Sequence, residues 1–233
     1  MTQDERPTLT VIVPAYNEES TIVRVVERVR EVPFSLQVIV VDDCSSDRTA
    51  ELAGALEGVE LLRHDRNQGK GAALRTAFAH ARGSVVVVQD ADLEYDPTDI
   101  PDLVRPILEG HADVVYGSRL IGGRPQRVHL FWHKVGNKTL SLVTNVLYNT
   151  TLSDMETGYK AFTLEVLRAI EPLRESDFRI EPELTAKICR GHFRIYEVPI
   201  AYYGRSYEEG KKITWRDGFP AVYALVKYRF RDK

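Results

Sequence analysis

The chain reads as an α/β protein with a mostly parallel central sheet flanked by helices. The first observation is Val85-Val86-Val87-Val88, an apolar run of strand length that suits a strand buried on both faces. The second is that comparable runs recur at 9–13, 38–41, 59–62 and 112–116. The third is that helical patterns separate the first four runs. Strands alternating with helices form a parallel sheet through right-handed crossovers.

Each element has a local cause. The strand 9–13 is ended by Pro14, and the helix predicted over 18–31 carries Val25, Val26 and Val29 on one face. The strand 38–41 ends in Asp42-Asp43, after which Ser46-Asp47 offer N-caps for a helix to about residue 56. A helix rich in alanine is predicted over 71–81, between the strands 59–62 and 85–88. The character changes after residue 118, where Gly122-Gly123 and Pro125 break the pattern. Two apolar-faced segments follow, 128–135 and 140–148, with Gly136-Asn137 read as a break between them. A strand is predicted over 157–163, a helix over 182–189 and an alternating strand over 194–203. Residues 205–212 form a polar loop. The last helix, 215–230, places Trp215, Phe219, Val222, Val226 and Phe230 at 4-3-4-4 spacing.

Composition bounds the function. At 233 residues, with 28% charged and 43% hydrophobic residues, the chain is globular and fits one domain. A net charge of -3 supplies no general basic field, so nucleic-acid binding is not expected. Cys44 and Cys189 make neither a disulfide framework nor a zinc site, which points to a reducing compartment. Residues 1–7 lack a signal-peptide apolar core, and no stretch is long and apolar enough to span a bilayer. The expectation is a cytoplasmic protein, soluble or attached peripherally to the inner face of the membrane.

The chemistry concentrates at predicted strand ends, where open α/β sheets bind ligands. Asp90-Ala91-Asp92 and Glu94 place three carboxylates within five residues. Such groups repel one another unless a cation compensates, and a hard divalent ion completes its shell with phosphate oxygens. Ordinary strand-end turns also use Asp. Tyr16 and Asp43 leave neighbouring strands, positioned to flank a base and to accept a ring N–H; alternatively, Asn17 caps the first helix and Asp42 braces its turn. Asn67-Gln68-Gly69-Lys70-Gly71 precedes a helix, where glycines permit close approach and the N-terminus attracts phosphate. It lacks the spacing and terminal Ser/Thr of a Walker loop, and a tight turn with a solvated Lys70 is the plain alternative.

Together these motifs resemble glycosyltransferase family 2, with its GT-A (nucleotide-diphospho-sugar transferase) fold. The likeness is carried by Val11-Ile12-Val13-Pro14-Ala15-Tyr16-Asn17-Glu18, Val41-Asp42-Asp43-Cys44-Ser45-Ser46-Asp47, Asn67-Gln68-Gly69-Lys70-Gly71 and Asp90-Ala91-Asp92. Shorter pieces, Gly117-Ser118-Arg119, Asp154-Met155-Glu156-Thr157-Gly158-Tyr159-Lys160 and Arg205 with Lys211-Lys212, resemble the dolichyl- or polyprenyl-phosphate sugar synthase branch. The resemblance implies that Pro14, Tyr16, Glu18 and Asp43 hold the nucleoside. Asp90, Asp92 and Glu94 would meet Mg²⁺ or Mn²⁺ and the diphosphate, Glu94 being a departure from the glutamine common in that branch. Arg119, Arg205 and Lys211 would face phosphate. The chain then divides into a nucleotide-sugar-binding half, 8–118, an acceptor half, 119–214, with interface segments at 125–149, and a terminal amphipathic helix, 215–233.

The expected reaction is inverting transfer of a hexose from a nucleotide diphosphate sugar, of GDP-mannose or UDP-glucose type, to polyprenyl phosphate. A phosphate acceptor is largely deprotonated at neutral pH and needs cations more than a base. A hydroxyl acceptor on a sugar, glycerate or protein would need Asp154 or Glu156 as base. A nucleotide-sugar sensor is a third reading, one that the intact carboxylate cluster disfavours. The segments within 128–148 mix apolar residues with Lys134 and Lys138, which suits a bilayer interface, a covering of the core or a homodimer contact. His129 and His133 are four apart but have no evident third metal ligand. Uracil and guanine both offer a ring N–H, so the donor base stays open.

Overall fold

The computed structural model describes residues 8–128, 131–205 and 218–230. One seven-stranded sheet forms its centre. The strands are β1 (Thr8–Ala15), β2 (Ser35–Asp42), β3 (Val59–Arg63), β4 (Val85–Val88), β5 (Val114–Ser118), β6 (Lys160–Thr163) and β7 (Ile195–Pro199). Their order is β3-β2-β1-β4-β6-β5-β7, and β6 runs antiparallel to both neighbours. From β1 the chain builds β2 and β3 on one side, then returns to lay β4 on the other. That reversal opens a crevice beyond the carboxyl ends of β1 and β4.

The valine run shows why the sheet is buried on both faces. Val85 and Val87 enter one core with Val11 and Val13, while Val86 and Val88 enter the opposite core with Ile12 and Ile39. Alternation with period two forces this division. The first core is covered by α1 (Ile22–Arg30) and α4 (Ile100–Leu108), the second by α3 (Lys70–His80), α6 (Leu164–Ala169) and α7 (Ile180–Arg190). The short α2 (Thr49–Gly54) packs beside β3. A third cluster joins α5 (Phe131–Tyr148) to α8 (Gly218–Phe230) through Leu140, Met155, Ala221 and Leu225. No helix among the described residues is long and apolar enough to cross a membrane.

Several expectations are corrected. The first helix starts at Ile22, not residue 18, because the chain before it is tied to the β2–α2 loop. Glu18 N donates to Thr49 Oγ1 at 2.8 Å, and Asn17 Oδ1 accepts from Ser46 N at 2.8 Å. Gly136-Asn137 does not break the helix: α5 runs through it, since glycine there weakens the helix without removing a backbone donor. The α4 and α6 helices were not predicted, although Ile100, Leu103, Val104 and Ile107 carry the helical period.

Of the stripe predicted for the last helix, Phe219, Val226 and Phe230 face outward, at 73%, 41% and 74% exposed, while Val222 packs against the third cluster. Its buried face is Ala221, Ala224, Leu225 and Tyr228. Small alanines allow close helix approach, and the Tyr228 hydroxyl donates to buried Glu175 at 2.9 Å. Trp215 lies outside the described residues.

Gly69 before α3 and Gly71 in its first turn serve the chain's own backbone. A Cβ on Gly69 would lie 2.5 Å from Ser176 O, and one on Gly71 would lie 2.5 Å from Glu175 O. Gly71→Ala is therefore expected to lower stability by about 1–3 kcal/mol through overpacking. Urea denaturation with an unchanged midpoint would refute that fit.

Candidate active site

A cleft of about 960 Å³ lies over the crevice, lined from β1 by Pro14, Tyr16 and Glu18, from β2 by Asp43 and from β4 by Asp90, Asp92 and Glu94. Lys70, Arg119, Glu156 and Arg205 complete the part anticipated from sequence. Lys211 and Lys212 lie outside the described residues, as does His129.

Beyond β2, Asp43 is already engaged. Its carboxylate accepts from Gln68 N at 2.8 Å and Gly69 N at 2.7 Å, and pairs with His64 Nδ1 at 2.7 Å. A carboxylate has about four acceptor sites, so one remains for a ligand. Asp42 braces the turn by accepting from Ser45 N at 3.2 Å. Neither His64 nor its place beside Asp43 was anticipated.

The β4 carboxylates are met by cations from distant elements. Lys70 Nζ lies 2.8 Å from Asp90 and 3.3 Å from Glu181. Burial alone would lower the Lys70 pKa, but the two carboxylates outweigh it and hold it above the usual lysine range. Gly158 passes over this pair so closely that a Cβ would lie 2.6 Å from Asp90 Oδ2. Arg205 Nη2 reaches Asp92 Oδ2 at 2.9 Å. Burial, with Asp90 and Glu94 alongside, still pushes the Asp92 carboxyl up to about 6. Glu94 is held apart from its neighbours' chemistry, accepting from the Tyr202 hydroxyl at 2.8 Å and from Arg205 N at 2.6 Å.

This arrangement was tested against a divalent ion. Among the described residues, no three His, Cys, Asp or Glu side chains gather to hold a metal by themselves. The expected third ligand, Glu94, is occupied by the 202–205 segment. Asp90 and Asp92 line the cleft, and a divalent ion there would compete with the Lys70 and Arg205 contacts they make. Two carboxylates fit Mg²⁺ or Mn²⁺, which keep several positions for phosphate and water.

Beyond β5, Arg119 directs Nε and Nη2 to the two oxygens of Asp154, both at 2.7 Å. Asp154 is 0% exposed and does not line the cleft, so it orients Arg119 rather than facing a substrate. Of the two expected bases, Glu156 alone faces the space, and its buried Oε1 makes no hydrogen bond. Burial, with Glu181 nearby, pushes the Glu156 carboxyl up to about 7. Lys160 pins this loop through Met155 O and Thr157 O and pairs with Glu181 at 2.5 Å. Although Glu181 is buried, Lys160 and Lys70 hold it below the usual carboxylate range. Glu181, Tyr95 and Tyr202 line the cleft but were missed, because their role depends on elements far apart in sequence.

Folded protein keeps the Glu156 proton up to about 7, whereas an unfolded chain releases it near about 4.3. The stability that this difference contributes is complete below the unfolded value and is lost as pH rises towards 7. Glu156→Gln should thus gain stability relative to the parent between about pH 5 and about pH 8. Parallel denaturation curves over that interval would refute the burial effect.

The sequence model described as glycosyl transferase family 2 matches residues 10–170. The chain is 32% identical over 227 residues to the low-salt glycan biosynthesis hexosyltransferase Agl6 of Haloferax volcanii, covering 96% of this chain and 54% of that protein. It is 31% identical to the dolichol-phosphate mannosyltransferase of Pyrococcus furiosus, with 94% and 64% covered. A third relative, 28% identical with 93% and 94% covered, is the UDP-N-acetylglucosamine–dolichyl-phosphate N-acetylglucosaminyltransferase of Methanococcus voltae. The fold matches glucosyl-3-phosphoglycerate synthase from Mycobacterium tuberculosis, solved with Mn²⁺, uridine diphosphate and glucosyl-3-phosphoglycerate. That match has a TM-score of 0.74 at 23% identity, covering 96% of this chain and 80% of the other. The chain belongs to glycosyltransferase family 2, has the GT-A fold, and fits the polyprenyl-phosphate sugar synthase branch of that family.

Proposed function

We propose that the protein transfers a hexose, with inversion, from a nucleotide diphosphate sugar of GDP-mannose or UDP-glucose type to polyprenyl phosphate. Pro14, Tyr16 and the remaining acceptor site of Asp43 hold the nucleoside. Asp90 and Asp92 hold Mg²⁺ or Mn²⁺, whose charge offsets that of the departing nucleoside diphosphate. Arg119, fixed by Asp154, keeps Nη1 for an acceptor phosphate, and Arg205 with Lys211 supplies further positive charge. An acceptor phosphate oxygen attacks the anomeric carbon as the bond to the diphosphate breaks. Because that oxygen carries no proton at neutral pH, no base is required.

The observation that carries this reading is the surface onto which the cleft opens. Phe131, Lys134 and Asn137 of α5 form part of the cleft wall. The α5 and α8 sequences contain no aspartate or glutamate, in a chain of net charge -3. Both helices expose large apolar groups, among them Trp132 at 76% and Phe219 at 73%. An apolar, basic surface beside the acceptor end suits a bilayer interface with anionic headgroups, from which a lipid phosphate would enter. Peripheral attachment at the cytoplasmic face follows from this reading.

A second reading uses a hydroxyl acceptor and Glu156 as base. It is favoured by the unpartnered Glu156 oxygen and by the likeness to glucosyl-3-phosphoglycerate synthase, solved with phosphoglyceric acid.

Thermal shift with Mn²⁺ and UDP-glucose, UDP-N-acetylglucosamine or GDP-mannose should identify the donor by the stabilisation it gives. Transfer from that donor to a short polyprenyl phosphate should be abolished in Asp92→Asn; parent-like turnover would remove the metal role. Glu156→Gln separates the acceptors. It should leave transfer to a phosphate largely intact, whereas a hydroxyl acceptor predicts a loss of about 10²–10⁴-fold.

A further inference from the structure

The environment of Arg205 does not match a side chain waiting for an acceptor. Its Nη2 lies between two carboxylates, 2.9 Å from Asp92 Oδ2 and 3.1 Å from Glu18 Oε1. Its Nη1 lies 3.2 Å from Glu18 Oε2, so Glu18 receives the guanidinium with both oxygens. Glu18 is itself fixed: Thr21 Oγ1 donates to Oε2 at 3.1 Å, and Glu18 N donates to Thr49 Oγ1. The Arg205 backbone is anchored separately, its N–H donating to Glu94 Oε1 at 2.6 Å. Its Nε is buried and makes no hydrogen bond.

This geometry has two separable parts. Breaking the Asp92 contact removes one hydrogen bond and leaves the two-pronged Glu18 pair and the backbone anchor in place. Breaking the Glu18 pair leaves the guanidinium on Asp92 alone. Asp92 is also a carboxylate that a divalent ion would take, and two cations repel each other at one oxygen.

We propose that Arg205 is the resting counter-ion of Asp92, and that Glu18 is a positioning residue that retains Arg205 in the cleft when a divalent ion displaces it. The proposal rests on the metal role assigned to Asp92 above. Glu18 then acts through Arg205 and not through the nucleoside. Displacement frees a hydrogen on Nη2, which gives an acceptor phosphate a donor only after the ion is in place. The divalent ion therefore binds before the acceptor.

The test measures Mn²⁺ binding to the full chain without donor, by the electron paramagnetic resonance of unbound Mn²⁺. Arg205→Gln removes the competitor and should tighten Mn²⁺ binding several-fold. Glu18→Gln leaves Arg205 to Asp92 alone and should weaken it. Lys134→Gln removes the same charge from the cleft wall without touching Asp92 or the 202–205 segment, and should change affinity much less than Arg205→Gln. General loosening of the site would move the Arg205 and Glu18 variants in the same direction, and that result overturns the proposal. Equal tightening in the Lys134 variant also overturns it, since the effect would then be one of overall field. If Mn²⁺ binding is lost in Asp92→Asn but unaffected in Arg205→Gln, this inference fails while the functional reading stands. If the parent protein binds no Mn²⁺ with or without a nucleotide sugar, both fail.

Discussion

Negative charge gathered where a fully buried strand leaves the sheet is the constraint on which the site depends. The β4 valines exclude water from both faces, so the carboxylates that follow emerge directly from an apolar core. Charges so placed require partners. The protein provides them from elsewhere: Lys70 from the start of α3 for Asp90, and Arg205 from beyond β7 for Asp92. Lys70 is in turn balanced by Glu181, and Glu181 by Lys160, which fastens the loop carrying Glu156. One line of alternating charge thus runs from the β4 carboxylates to the loop carrying Glu156, fixing the two sides of the cleft relative to each other.

Other polar groups of the cleft are oriented by partners behind them. Arg119 faces the cleft because Asp154 grips it from below, and Asp154 N is held by Glu197 at 3.2 Å. Asp43 is oriented by the backbone of residues 68 and 69, which ties the end of β2 to the start of α3. The glycines at 69 and 71 let the 175–177 backbone lie against that same turn. Phosphate-loop composition and tight chain packing thus coincide at one place, and packing accounts for the glycines without a ligand.

The two outer helices follow a different rule. They pack on each other and on the body through Leu140, Ala221, Ala224, Leu225 and Tyr228, and leave other large apolar groups exposed. Scattered exposed apolar residues are ordinary in soluble proteins, but clusters on neighbouring helices lacking carboxylates are not. The contrast with the acidic cleft gives the molecule two electrostatic regions, one rich in carboxylates and the other apolar and basic.

What the sequence alone determined was local. Continuous apolar runs of strand length specified β1, β2 and β4, and the carboxylates after β2 and β4 marked the binding edge, because such runs and strand ends are properties of consecutive residues. Family motifs named most of the cleft lining for the same reason. Tertiary structure decided which oxygen meets which cation. Arg205 and Glu18 are 187 positions apart, and no periodicity links them. It also decided that Asp154 lies behind Arg119, that α5 continues through Gly136, and that α8 buries its alanines rather than its phenylalanines. Those outcomes depend on the shape of the surface each segment meets, and that surface exists only after the sheet has formed.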